Sequence, residues 1–159
     1  MSIEVNENKI IFKRDFEATV EEIFKAYTEQ SLFEQWFHPQ GATTEVFEFN
    51  VVTGGQAFFA IYTDQGTSYT LTKYKEVKAP YLIDYNDYFT DKEGNIDKNM
   101  ASMRNVIQLE QIDEASTRII STAELPDPKS AQQLLDMGVE AGMNSTFDNL
   151  ETLLKNKKS

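Results

Sequence analysis

Ser31–Tyr62, SLFEQWFHPQGATTEVFEFNVVTGGQAFFAIY, is the stretch on which the reading of the fold turns. Ser31 and Glu34 stand at capping-box spacing, so a short helix should carry Leu32, Phe33 and Trp36. Pro39 and Gly41 end that helix. Over Val46–Val52, Phe47, Phe49 and Val51 alternate with Glu48 and Asn50, the period of a strand with one apolar face. Gly54-Gly55 then turns the chain into a second strand, Gln56–Thr63. This glycine pair lacks the strand–loop–helix setting of a phosphate site and reads as a hairpin turn. The sole Trp and the sole His of the chain, Trp36 and His38, fall in the same stretch.

Upstream, Lys9–Phe16 reads as a first strand. Thr19 and Glu22 again have capping-box spacing, and Val20, Ile23, Phe24 and Tyr27 give one apolar helical face. Downstream, the turn Asp64–Gly66 leads into Thr67–Val77, and Ala79-Pro80 separates that strand from Tyr81–Thr90. After a longer loop, Asp91–Asp97, come Ala101–Ile112 and Thr117–Leu125. Short links between about six consecutive strands predict an antiparallel meander. A last helix starts at Asp127-Pro128 or at Ser130 with Gln133, and runs to Lys155. It would be about 25 residues and about 38 Å long, with Leu135, Val139, Met143, Phe147, Leu150 and Leu154 on one stripe. Lys155, Lys157 and Lys158 suit the negative end of its dipole. Gly138 and Gly142 inside it mark either close approach to the sheet, the preferred reading, or room for a ligand. The economical packing is α+β: a sheet of about seven strands curled around the long helix.

The 159 residues are expected to form one domain, 1–159. The net charge of −11 argues against nucleic acid and against anionic membrane surfaces. The absence of Cys removes disulfides, thiolate chemistry and Cys-based metal sites. MSIEVNENK shows no secretory signal pattern and no apolar run reaches membrane-spanning length, so a cytoplasmic protein is expected. HExxH, P-loop, GxSxG and GxGxxG motifs are all missing.

The segments VEEIFKAYTEQSLFEQWFHPQG, FNVVTGGQAFF, YKEVKAPYLIDY, TRIISTAEL and GVEAGMNSTFDNLETLL, in this order, carry a resemblance. Together they resemble the activator of 90 kDa heat-shock protein ATPase homologue family, in the START-like superfamily (also called the SRPBCC or Bet v allergen-like fold). The resemblance runs from about Phe12 to Leu154. It implies a helix-grip fold with a cavity between sheet and long helix, and no fixed activity. Phe37 and His38 stand where the family often has Trp and Gly. Val52-Thr53 replaces the usual Arg-Pro, and Met143 stands where Trp is common. Superfamily members bind lipids, hormones or hydrophobic small molecules; some cyclise polyketides, and some bind a chaperone.

Candidate cavity residues are the aromatics Trp36, Phe47, Phe49, Phe58, Tyr69, Tyr85 and Phe147, together with His38, Arg104 and Met143. Each aromatic serves equally as plain core, and strand alternation requires some of them to face outward. His38 alone makes no metal site and lies at no telling distance from a nucleophile, so a place at the cavity mouth is preferred to catalysis. Arg104 could orient a ligand, but the solvated face is favoured. Asp84 and Asp87 read as solvated charges. The expected function is binding of a hydrophobic small molecule, without cofactor or metal. A co-chaperone-like contact with a heat-shock protein ATPase is the alternative, and a polyketide cyclase-like enzyme a second. Either monomer or homodimer is compatible with the sequence.

Overall fold

The computed structural model describes residues 2–100 and 102–158, and the side chains of 157 and 158 fall outside the description. The strands are β1 (Ser2–Asn6), β2 (Lys9–Phe16), β3 (Thr43–Phe49), β4 (Gln56–Thr63), β5 (Gly66–Lys78), β6 (Leu82–Thr90), β7 (Met103–Gln111) and β8 (Thr117–Glu124). The helices are α1 (Val20–Thr28), α2 (Gln30–Trp36), α3 (Pro128–Asp136) and α4 (Val139–Lys158). Among the described residues all eight strands join one antiparallel sheet, ordered β1-β2-β8-β7-β6-β5-β4-β3. The architecture is α+β, a helix-grip arrangement with α4 along the concave face. The expected strand start at Ala101 lies outside the described residues.

Alternation is clearest in β8, where Thr117, Ile119, Ser121 and Ala123 are buried and their neighbours are not. These residues face Phe16, Arg14, Phe12 and Ile10 of β2 in register. Phe16, Ile107, Leu109 and Ile119 meet Phe147, Leu150 and Leu154 of α4 in the main core. A second cluster joins Ile10 and Phe12 to Ala131 of α3. Arg14 fastens sheet to helix. Its guanidinium donates to the Asp148 carboxylate at 2.8 Å, to Glu151 at 2.7 Å and to the Asn144 carbonyl at 3.2 Å.

Four local expectations are corrected. The sheet has eight strands rather than about seven, because Ile3 and Val5 alternate in a short β1 that pairs with β2. Ser31 does not cap α2. The cap position is Glu29, and Glu34 instead accepts from the Val46 amide at 3.3 Å. Thr19, by contrast, completes its capping box with Glu22 on α1. Phe47 and Phe49 do not share a face, because the register shifts between Val46 and Glu48. This bulge turns Phe47 outward while Val46 and Phe49 face the concave side.

The fourth correction is to the long helix. It breaks at Gly138, whose φ of +89° is a left-handed conformation that terminates α3. Asp127 caps α3 by accepting from the Ser130 amide at 2.7 Å, with Pro128 at the first turn, so Ser130 is not the start. Gly142 stays inside α4. A Cβ at either glycine would meet nothing within 4 Å, so neither marks close approach to the sheet. Close approach is instead made by Gly55, where a Cβ would lie 2.2 Å from the Asn50 carbonyl oxygen. Lys155 pairs with Glu151 at 2.9 Å, while the expected roles of Lys157 and Lys158 lie outside the described side chains.

Candidate functional site: an apolar cavity beneath the C-terminal helix

Trp36 is fully buried and anchors the α1–α2 corner. Its indole N–H donates to the Ala26 carbonyl at 2.9 Å, and its ring meets Tyr27 edge-on at 4.9 Å. The chain leaving α2 is then tied to α4 at two points. The Asn149 side-chain amide donates to the His38 carbonyl at 2.8 Å, and the Gln40 amide donates to the Ser145 hydroxyl at 2.7 Å. The α1–α2 corner and this loop therefore form one wall of a cavity of about 190 Å³. Tyr27, Trp36 and Phe37 make that wall, with His38 and Pro39 beside them. Met143, Thr146 and Phe147 of α4 form the roof, and Ile61, Tyr85, Ile107 and Ser121 the sheet floor.

Besides Ser121 and Asn105, Asp87 and Tyr85 bring polar groups to this floor. Asp87 of β6 accepts from the Thr72 hydroxyl at 2.5 Å and from the Asn105 side-chain amide at 3.2 Å. Burial without a compensating cation pushes its carboxyl up to about 7, against the lowering effect of the Thr72 hydrogen bond. Tyr85, on the same face, has its hydroxyl pushed well above the usual phenol range by burial first, then by the neighbouring Asp87.

At the wall, the tautomer of His38 follows from its neighbours. The Thr44 hydroxyl donates its proton to the Phe37 carbonyl at 2.7 Å. It can then only accept from His38 Nδ1, 2.9 Å away, which makes Nδ1 the protonated nitrogen and leaves Nε2 with a lone pair. Burial holds the His38 pKa below the ordinary imidazole range, so the neutral ring prevails at pH 7.

Of the residues singled out in the sequence, the structure brings Trp36, His38, Tyr85, Met143 and Phe147 together around this cavity. Phe49 lies beside it in the apolar packing, 5.2 Å from the Phe33 ring. Phe47, Phe58 and Tyr69 are elsewhere, in a ring cluster on the convex face with centroids 5.4–6.4 Å apart. Arg104 is also convex, where its guanidinium grips Asp84 at 2.8 and 3.1 Å and approaches Glu124 at 3.7 Å. It orients nothing in the cavity. Asp84 and Asp87 are therefore not solvated charges: one is buried in an ion pair, the other is a cavity carboxyl. The available signal was alternation, since Ile83, Tyr85 and Asp87 share a strand face and place a carboxyl among apolar residues.

An antiparallel sheet wrapped over a C-terminal helix, with a cavity held between them, defines a START-like helix-grip protein. The chain belongs to the family described as Activator of Hsp90 ATPase homolog 1-like protein, whose model matches residues 17–155. A solution structure of a Staphylococcus epidermidis protein is 48% identical, with TM-score 0.90 over 99% of this chain and 95% of that one. A Mycobacterium smegmatis protein shares the fold at 20% identity, with TM-score 0.87 over 97% of this chain and 96% of that one. No curated protein sequence matches the chain. No helix among the described residues is long and apolar enough to cross a membrane.

Proposed function

We propose that this protein binds a small, mainly apolar molecule in the cavity between α4 and the sheet. The observation that carries this reading is the partly open space of about 190 Å³ walled by Trp36, Phe37, Tyr85, Met143 and Phe147. An apolar cavity of about 150 Å³ is known to take benzene, so the size suits a single ring with a short substituent. Drug-sized ligands need about 300 Å³ or more and would not fit without rearrangement. Thermal unfolding with toluene as probe tests the reading. Toluene should raise the Tm of the natural protein, and Ser121→Leu, which projects a butyl group into the floor, should abolish the rise. Equal stabilisation of both proteins would place the binding outside this cavity.

Contact with a chaperone ATPase is a second reading. It draws on the family description and on the convex-face cluster, where Phe47 keeps 49% exposure beside Phe58 and Tyr69. Addition of the protein to purified Hsp90 should raise ATP turnover, and Phe47→Lys should reduce that gain. No change in turnover would end this reading.

A further inference from the structure

Resting on the cavity reading above, we propose that the ligand is a small protonated amine, its charge paired with Asp87 and its apolar body held by the aromatic walls. Asp87 is prepared as an acceptor. Among the described residues, the groups that hydrogen-bond to it are the Thr72 hydroxyl and the Asn105 amide, both neutral donors directed at the carboxylate oxygens. A carboxylate has about four lone-pair sites, so two neutral donors leave capacity unfilled. No Lys or Arg is among the described residues lining the cavity. Asp84, the buried acid on the opposite face of the same strand, is met by the Arg104 guanidinium at 2.8 Å. Asp87 has no cation within salt-bridge distance among the described residues, and it faces an open space. A cation from outside the chain completes it.

The walls suit the same ligand. Trp36, Tyr27, Phe37, Tyr85 and Phe147 surround the cavity, and ring faces attract an ammonium through the quadrupole, most strongly where water is excluded. The volume restricts the body to about one ring. A neutral hydrophobic ligand would leave the carboxyl unmatched, to be held protonated or to bear an uncompensated charge.

The pH response follows from the groups around the carboxyl. Tyr27 on α1, Tyr74 on β5 and Tyr85 on β6 have hydroxyls raised by burial and stay neutral near pH 7. The α4 roof (Met143, Thr146, Phe147) and the β7 residues Met103 and Asn105 carry no titrating group. His38 is the remaining titratable wall residue, and its protonation on acidification would repel a cation. Amine binding favours the ionised carboxylate, so it releases a proton near neutrality, and affinity rises from pH 5.5 to 7.5. His38→Gln isolates the Asp87 share of that rise.

Calorimetric titration with benzylamine, benzyl alcohol and toluene at pH 7.5 tests the proposal. Benzylamine should bind the natural protein at least ten-fold more tightly than benzyl alcohol. Asp87→Asn should erase that preference while toluene still binds. In the natural protein and in His38→Gln, benzylamine affinity should fall several-fold at pH 5.5, whatever the fate of the Asp87 variant. Toluene and benzyl alcohol binding as tightly as benzylamine would overturn the amine assignment and leave the cavity reading intact. Unchanged benzylamine affinity in Asp87→Asn would equally overturn it. Binding of none of the three would overturn both.

Discussion

Asp87 and Trp36 show what a single residue contributes here, with opposite signs. The Asp87 carboxyl titrates at about 7 in the folded protein and near its ordinary carboxylate value when unfolded. Between those values the folded state holds a proton that the unfolded state has lost. Stability therefore falls as pH rises through this window, and the penalty is complete above about pH 7. The full shift would correspond to about 4 kcal/mol, reduced to the extent that solvent reaches this half-buried group. Asp87→Asn should accordingly be more stable than the natural protein at pH 8, with the gain shrinking toward pH 5. Urea unfolding at the two pH values measures it, and a pH-independent difference would contradict the assignment. Trp36 acts the other way. Trp36→Phe removes its hydrogen bond to Ala26 and leaves space in a fully buried corner, for an expected loss of about 2–3 kcal/mol in the same assay.

At the scale of elements, caps and breaks decide where each segment starts and stops. Thr19 makes a reciprocal capping box, whereas Ser31, with the same spacing to an acid, makes none. Thr19→Ala should cost about 1 kcal/mol and Ser31→Ala almost nothing, as chemical denaturation would report. Gly138 and Gly142, four residues apart, should also diverge. Gly138 holds a left-handed conformation, so Gly138→Ala should destabilise by about 1 kcal/mol. Gly142 is helical with open space around its missing Cβ, so Gly142→Ala should stabilise by about 0.5–1 kcal/mol. Equal effects at both positions would mean one continuous helix. The break has a packing reason: α3 covers Ile10 and Phe12 of β2, while α4 turns to follow the middle of the sheet.

The molecule as a whole is a curled sheet held on its helix, and Arg14 joins the two across 130 residues of sequence or more. Arg14→Met should loosen α4 by about 1 kcal/mol, with the difference shrinking in 1 M NaCl because the acidic partners are half-exposed. Hydrogen exchange of the α4 amides, faster in the variant, would locate the effect. Several features of this whole were legible in the sequence. Thr19 with Glu22, the Asp127-Pro128 start, the Gly54-Gly55 turn into Gln56–Thr63 and the apolar stripe from Met143 to Leu154 each depend on residues a few positions apart. Local energetics alone therefore determined most of the element order, short of β1 and of the break between α3 and α4, and with the family resemblance that order determined the helix-grip architecture. Only tertiary structure decided which way Phe47 and Arg104 face, where the last helix breaks, and that Asp87 looks into a cavity while Asp84 meets Arg104. Alternation states which residues share a face but not which face is concave. That choice is made by bulges, cross-strand register and the docking of α4, which join residues far apart in the chain and leave no local signature.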